Sequence, residues 1–523
     1  MSTINLLATP SLHPVHIAAT PAPNAGDAIV LFADKSGKLL PVSHDLVAEL
    51  HLDDIAEALS ATGFKGILGD MLHCAVKSKG GIRPVAVVGV GDVKKLNAQS
   101  TRKLGGIISK HLSKHKTKTA LVAMEAFVKG PPESVRNLLV GMQTATYEMT
   151  DLKTDRKPTK PAALYLMGGH LNAAELTPLA AEVAAVVGGA HLTRRLIDLP
   201  PDVVTTQSLK EAAEAVAKQH KAIKATVLDR KAMQKLGMNL LLAVAQGSDQ
   251  APYVVQLSYT GNKKGKVVDL VGKGLVYDTG GLNIKYGDYM AGMKTDMAGA
   301  ATVLGIMQAA AAIGAPVNLR ATLVIVENAV GPAAVKPDEV RTAYNGTTVE
   351  ITDTDAEGRL VLYDALAWVK DQGAETILDF ATLTGSIVAA LGNEFAGLFC
   401  NDGTMAHNIL NMAKDNGEGL WAMPLTDATY YEEALTSKVA DLRNWQQRDI
   451  PDSMGAALFL QHAVKTHKKG TAKGSKAPKY AHFDIAGTAD GARDGTEVKT
   501  AKHCATGYGV RTVLAYLLAH HTA

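Results

Sequence analysis

The sequence predicts an α/β protein in two parts: a small N-terminal α/β domain, joined by a helix to a larger C-terminal α/β domain whose mixed, mainly parallel sheet is flanked by helices. Three observations predict it. The chain has 523 residues, too many for one ordinary domain. Apolar strand-like runs alternate with helical periodicity along much of its length. A long Ala-rich helical stretch, stopped by Pro200 and Pro201, separates the first third from the rest.

In the first third, residues 28–33, 83–91, 118–127 and 162–168 read as strands, and residues 54–63 and 101–115 as helices between them. VGVGD at 88–92 lacks the full GxGxxG spacing and reads as a turn at a strand end. The Ala-rich helix starts near residue 172. The N-terminal domain is accordingly placed at 1–172, the linker helix at 173–195 and the larger domain at 196–523. There, residues 224–229, 253–259, 266–278, 319–327 and 375–383 read as strands, and 297–314 and 358–373 as helices. Such alternation implies parallel strands, with ligands at their carboxyl ends. Residues 462–484 hold six lysines with Gly, Ser and Pro, and read as a surface loop.

Composition excludes several classes. Hydrophobic residues make up 47% and charged residues 20%, enough for a real core. A net charge of +3 implies no strongly charged partner. Basic segments at 94–118 and 465–479 raise a nucleic-acid reading, which the near-neutral balance and the scarcity of interleaved aromatics disfavour. The three cysteines, Cys74, Cys400 and Cys504, are odd in number and far apart, which argues for a reducing compartment over a disulfide framework. No run of about 18 apolar residues is evident, so no membrane span is expected. The first lysine is Lys35, and prolines 10, 14, 21 and 23 break any early helix. A targeting peptide is therefore not expected, and the cytoplasm is.

The chemistry concentrates in three segments. DTDAEGRLVLYDAL (353–366) places Asp353, Asp355 and Glu357 within five positions, then Arg359. A helix N-terminus explains one or two acids there, not three. VGKGLVYDTGGLNIK (271–285) sets Lys273 and Asp278 in an apolar strand, with Lys285 beyond a Gly-Gly turn. Charge is expensive in such a strand, although a structural salt bridge is an alternative. MKTDMAGAA (293–301) puts Asp296 before an Ala/Gly-rich helix, where it could serve as a cap. Gathering Asp278, Asp296, Asp355 and Glu357 near the strand ends of one sheet requires cations. Mg²⁺, Mn²⁺ and Zn²⁺ all accept carboxylates. Four acids can bridge two ions, the arrangement used for hydrolysis. HExxH and GxSxG are both absent from the sequence.

Together with ATLTGS, RRLIDLPPDVVT and AHFDIAGTA, these segments resemble the cytosolic leucyl aminopeptidases, the M17 metallopeptidases. The resemblance spans roughly residues 190 to 523 and makes 196–523 the catalytic domain. It implies a tightly held metal on Lys273, Asp278, Asp296 and Glu357. It implies a more exchangeable one on Asp278, Asp355 and Glu357. Lys285 would polarise the scissile carbonyl, and Arg359 would hold a bicarbonate ion as general base. Met293, Thr382 and Gly385 would line the pocket for the first side chain, with the backbone at Leu383 touching the substrate. The resemblance further implies Zn²⁺ or Mn²⁺ as the metal pair, with Mg²⁺ or Co²⁺ as substitutes, peptide substrates with leucine-like N-termini, and a homohexamer. One departure stands out: Asp353 occupies the position where the family usually has Asn.

Overall fold

The computed structural model describes residues 4–9, 11–17, 28–78, 81–128, 133–155, 160–168, 173–426, 433–446, 450–467, 477–493 and 499–522. It divides into two compact units: Thr9–Gly188 with Arg493–Thr500, and Met1–Ala8 with Gly189–Ala492 and Ala501–Ala523.

The first unit is built on a six-stranded sheet of β1 (Val15–Ile17), β2 (Ala28–Asp34), β3 (Met71–Ser78), β4 (Gly81–Gly91), β5 (Thr119–Ala123) and β6 (Ala163–Met167), in the order β1-β6-β5-β2-β4-β3. All pairs are parallel except β3–β4. Alternation along β2 explains its unbroken apolar run. Val30 and Phe32 join a core with Leu104, Ile108, Leu138 and Leu139, while Ile29 and Leu31 join another with Ile55 and Leu59. A strand covered on both faces has no polar face to show. Helix α1 (Ala98–Lys114) opens with a capping box, Asn97 accepting from the Ser100 amide and Ser100 from the Asn97 amide, each at 2.9 Å. It packs on α2 (Glu133–Thr144). There Gly141 permits close approach: a Cβ on it would lie 2.0 Å from the Arg102 carbonyl oxygen.

Two expectations need adjustment in this unit. The strand expected over 118–127 ends at Ala123, because Glu125–Val128 turns into a short helix that brings Phe127 edge-on to Phe32. β3 lies in the sheet although the sequence reading passed over it. VGVGD does form a strand end, with Asp92 capping the next turn through the Lys94 amide.

The second unit carries an eight-stranded sheet. Its strands are β7 (Ile223–Leu228), β8 (Tyr253–Thr260), β9 (Val267–Asp278), β10 (Asn318–Asn328), β13 (Thr376–Ala381), β14 (Ala396–Cys400), β15 (Leu420–Met423) and β17 (Lys479–Asp484). Their order is β15-β14-β17-β13-β9-β10-β8-β7. The centre, β17-β13-β9-β10, is parallel, and antiparallel pairs flank it. A small sheet of β11 (Glu339–Thr342), β12 (Thr348–Ile351) and β16 (Leu442–Arg443) lies apart from it.

Helix α3 (Ala173–Asp198) runs across the division between the units. It is long and apolar enough to cross a membrane, contrary to the reading of the sequence. Its last residues are nevertheless interior: Leu192, Leu196 and Ile197 are buried, and Thr193 donates to the Ala301 carbonyl at 2.9 Å. Helices α4 (Ala298–Ala312), α5 (Glu357–Asp371) and α6 (Asp452–Lys465) follow in the second unit. The loop expected over 462–484 is shorter than it read. Residues 462–465 finish α6, and Tyr480, Ala481 and Phe483 are buried in β17. Lysines crowd the middle of this segment, but residues 468–476 lie outside the described residues.

Candidate metal centre

β9 supplies the first two charges. Lys273 and Asp278 are five residues apart and would face opposite sides of a regular strand. The register with β10 slips between them. Val326 pairs with Leu275 and Asn328 with Asp278, so β9 spends one residue more than its partner. The bulge restores Asp278 to the side of Lys273. Beyond it, Gly280 and Gly281 take positive φ values of 85° and 63°, a turn that suits glycine. The turn returns Lys285 toward the cluster.

Asp296 lies in a short 3₁₀ turn, Met293–Met297, ahead of α4. α4 begins hard against the sheet: a Cβ on Gly299 would meet the Phe380 carbonyl oxygen at 2.0 Å and the Lys273 nitrogen at 2.8 Å. Asp296 is not the cap of α4, since its N-cap is Met297 with no side-chain bond. Glu357 likewise opens α5 behind an N-cap, Ala356, that makes no side-chain bond. Both acids are therefore available to the cluster. Gly358 leaves room for a lysine, because a Cβ there would sit 2.6 Å from Lys273 Cε.

Lys273 Nζ spends its three donors on Asp296 Oδ1 at 2.7 Å, Glu357 Oε1 at 3.1 Å and the Thr382 carbonyl at 3.1 Å. Lys285 Nζ reaches Asp278 Oδ2 at 2.8 Å and Asp355 Oδ1 at 2.5 Å. Asp278 Oδ1 accepts from the Gly280 amide at 2.9 Å and from Asn328 Nδ2 at 2.8 Å. Asn328 also donates to the Thr354 carbonyl at 3.0 Å. Thr382 Oγ1 donates to Asp296 Oδ1 at 2.7 Å. Asp278, Asp355 and Glu357 each present an oxygen within 4.8 Å of the others.

This concentration of charge shifts protonation. Burial, and then Asp278, push the Glu357 carboxyl well up. Burial and Asp278 raise Asp355 to about 6. Burial also raises Asp296. It opposes the charge on Lys273 and Lys285, yet the surrounding carboxylates outweigh it and hold both ammonium groups charged. The donor set fits divalent cations on an independent ground. Asp296 Oδ2 and Glu357 Oε2 are buried with no hydrogen-bond partner among the described residues. A buried carboxylate oxygen left bare is costly, and an ion would satisfy it.

The cluster lines a cleft of about 530 Å³ that Met293, Thr382, Leu383 and Gly385 also line, together with Tyr286, Tyr289 and Trp445. All the residues singled out from the sequence thus converge there. Arg359 reaches the same cleft, but its guanidinium is partly engaged: Nη2 lies 2.5 Å from Asp452 Oδ1 and Nη1 donates to the Asn444 carbonyl at 3.0 Å, while Nε has no partner among the described residues. Asp353 accepts from the Asp355 amide at 2.8 Å and so shapes the turn that carries Asp355. Asn328, Thr354, Asp452 and Asp484 escaped the sequence reading. Asp484 receives the Leu383 amide at 3.1 Å and the Thr384 hydroxyl at 2.7 Å, fixing the loop after β13. The acid in AHFD at a strand end was the one signal for it.

Known proteins share this organisation. The model of the catalytic domain of the cytosol aminopeptidase family matches residues 191–514, and that of the same family's N-terminal domain matches residues 30–156. A probable cytosol aminopeptidase of Protochlamydia amoebophila (strain UWE25) is 36% identical over 474 residues, covering 90% of this chain and 91% of that protein. One from Brucella suis biovar 1 (strain 1330) is 34% identical over 503 residues, covering 94% and 95%. A mutant of tomato leucine aminopeptidase superposes with a TM-score of 0.81 at 27% identity, covering 98% of this chain and 97% of that one. The bottromycin maturation enzyme BotP gives 0.79 at 27% identity, covering 95% and 99%, and a complex of BotP with Mn matches as well.

Proposed function

The chain belongs to the cytosol aminopeptidase family, and from that premise we propose that it is a two-metal exopeptidase of the cytoplasm that removes N-terminal residues, leucine-like ones foremost. The observation that carries the reading is the pair of bare, buried carboxylate oxygens on Asp296 and Glu357 inside a cleft that Asp278, Asp296, Asp355 and Glu357 line. Lys273, Asp278, Asp296 and Glu357 would hold one ion; Asp278, Asp355 and Glu357 would hold the other, with Zn²⁺ or Mn²⁺ as the pair. Bound ions would supply an acidified water and a seat for the peptide's free amine.

The chain's own groups do the remaining work. Lys273 must lose its proton to become a ligand, so it trades an ammonium for a metal bond. Lys285 keeps its charge and, at the mouth of the turn, faces the scissile carbonyl, whose developing oxyanion it stabilises. Met293, Thr382, Leu383 and Gly385 shape the pocket for the first side chain. Arg359 is the seat for bicarbonate as general base. Here that anion must share the guanidinium with Asp452. A homohexamer completes the proposal.

Metal content and leucyl-amide hydrolysis, measured before and after chelation, test the reading. Two ions per chain, with activity lost on removal and regained on return of Zn²⁺ or Mn²⁺, are expected. Undiminished hydrolysis by metal-free protein would overturn it.

A further inference from the structure

The first unit holds a second cluster of metal-ligating side chains, made of nitrogen instead of oxygen. His111 is in the last turn of α1 and His115 is the residue that ends it. Four residues apart, they share one face of the helix. His73 comes from β3, the edge strand of the sheet. The three rings close on one another. Centroids lie 4.2 Å apart for His73 and His111, 4.3 Å for His111 and His115, and 5.2 Å for His73 and His115. One ring nitrogen from each lies within 4.8 Å of the others.

Ring stacking explains the centroid distances but does not require that the nitrogens converge. A helical i, i+4 pair facing a strand histidine is an arrangement that imidazole-binding metals can use. Burial, and then the neighbouring imidazoles, push His111 down to about 4, so its ring is neutral at pH 7. Lys114 stands close enough to lower His73 further, but its charge is exposed and screened. His73 and His115 are exposed and His111 half-buried, so the rings can draw in to the N···N separation of about 3.3 Å that Zn–N bonds of about 2.0–2.1 Å set in a tetrahedron.

We propose that His73, His111 and His115 form a three-histidine site for a borderline divalent ion of the Zn²⁺ or Cu²⁺ type, with solvent in the remaining position, clamping β3 to α1. Imidazole selects these ions over Mg²⁺ and Mn²⁺, which favour oxygen. The site is therefore chemically separate from the carboxylate centre.

The test uses the full chain, stripped of metal and then saturated with diamagnetic Mg²⁺, titrated with Cu²⁺ and followed by electron paramagnetic resonance. The parent should bind one Cu²⁺ with nitrogen coupling from imidazole, beyond any Cu²⁺ that displaces Mg²⁺ from the carboxylate centre. His73→Ala combined with His115→Ala should lose that equivalent. Both residues are exposed, so folding should persist, and circular dichroism checks it; His111→Gln provides a second variant. Leucyl-amide hydrolysis should be unchanged in both. Asp278→Asn should keep the nitrogen-coupled signal, so failure of the carboxylate reading leaves this one standing. Equal stoichiometry in the parent and the histidine variants would overturn the proposal, as would a signal without nitrogen coupling. A lost equivalent accompanied by lost hydrolysis would also overturn it, because the ion would then belong to the carboxylate centre.

Discussion

Asp278 touches more of the centre than any other acid, and its two oxygens divide the labour. Oδ1 is tethered by Asn328 and the Gly280 amide, whereas Oδ2 faces Lys285. Asp278→Ala removes a proposed bridge and should lower kcat by at least about 10³-fold, as should Glu357→Ala, on the scale of lost electrostatic stabilisation at a transition state. Steady-state hydrolysis of leucyl-amide checks both, and near-normal turnover in either would sink the bridging assignment. Asn328→Ala leaves every ligand in place but frees Asp278 from behind; a loss of about 10–100-fold in metal affinity or activity is expected. Asp353→Asn is the opposite case. Its oxygen can still accept the Asp355 amide, so activity should stay within about twofold, while Asp353→Ala breaks a bond worth about 1 kcal/mol and should weaken the exchangeable metal. Asp452→Asn should leave Arg359 readier for an anion and steepen the activation of hydrolysis by added bicarbonate.

At the scale of elements, a β-bulge and two glycines assemble the centre. The bulge turns Asp278 to the side of Lys273; Gly299 seats α4 on the sheet; Gly358 makes room for the lysine. Gly358→Ala should displace Lys273 and cut activity without unfolding the protein, since α5 gains helix propensity from Ala. The strands and helices bearing the acids were legible because they are long and periodic. Lys273 and Asp278 were legible because charge in an apolar run needs a reason. Asn328 and Thr354 carried no such signal: a neutral residue at a strand end is ordinary. Asp452 lies where the sequence reading placed no element. The bulge was invisible because it exists only in the pairing of β9 with β10, which no local pattern encodes. β3 was missed because His73, Lys77 and Ser78 interrupt its short apolar pattern. Elements also set a pH dependence. Asp355 is raised to about 6, so below that pH a proton on it competes with the exchangeable ion, while Glu357, raised further, adds competition at higher pH. Affinity for that ion should therefore fall as pH drops through about 6, by up to tenfold per unit for one proton. Calorimetric titration between pH 5 and 8 measures it, and a flat profile would exclude Asp355 as a ligand.

The whole molecule has separate cores in its two units, and this makes a consequence of metal binding observable. In the first unit, one core lies on each face of the sheet. In the second, a large core gathers Val271, Leu275, Val324, Leu360 and Phe459 around the strands that end at the carboxylate centre. An ion that binds only the folded state adds stability by mass action, about 2.7 kcal/mol at a hundred times its Kd. That increment belongs to the unit whose strands carry the proposed ligands. On addition of Mn²⁺ to chelated protein, the slowest-exchanging amides of β9, β10 and β13 should slow by up to about a hundredfold, since 1.4 kcal/mol corresponds to about a factor of ten. Amides of β2, β4 and β5 should not respond, because oxygen-preferring Mn²⁺ finds no partner among the histidines there. Zn²⁺ should then protect β3 and the last turn of α1 in addition. Hydrogen exchange read by mass spectrometry separates the two responses. Equal protection of both sheets by Mn²⁺ would mean that the units unfold together through α3, the helix they share, and that neither core is an independent unit of stability.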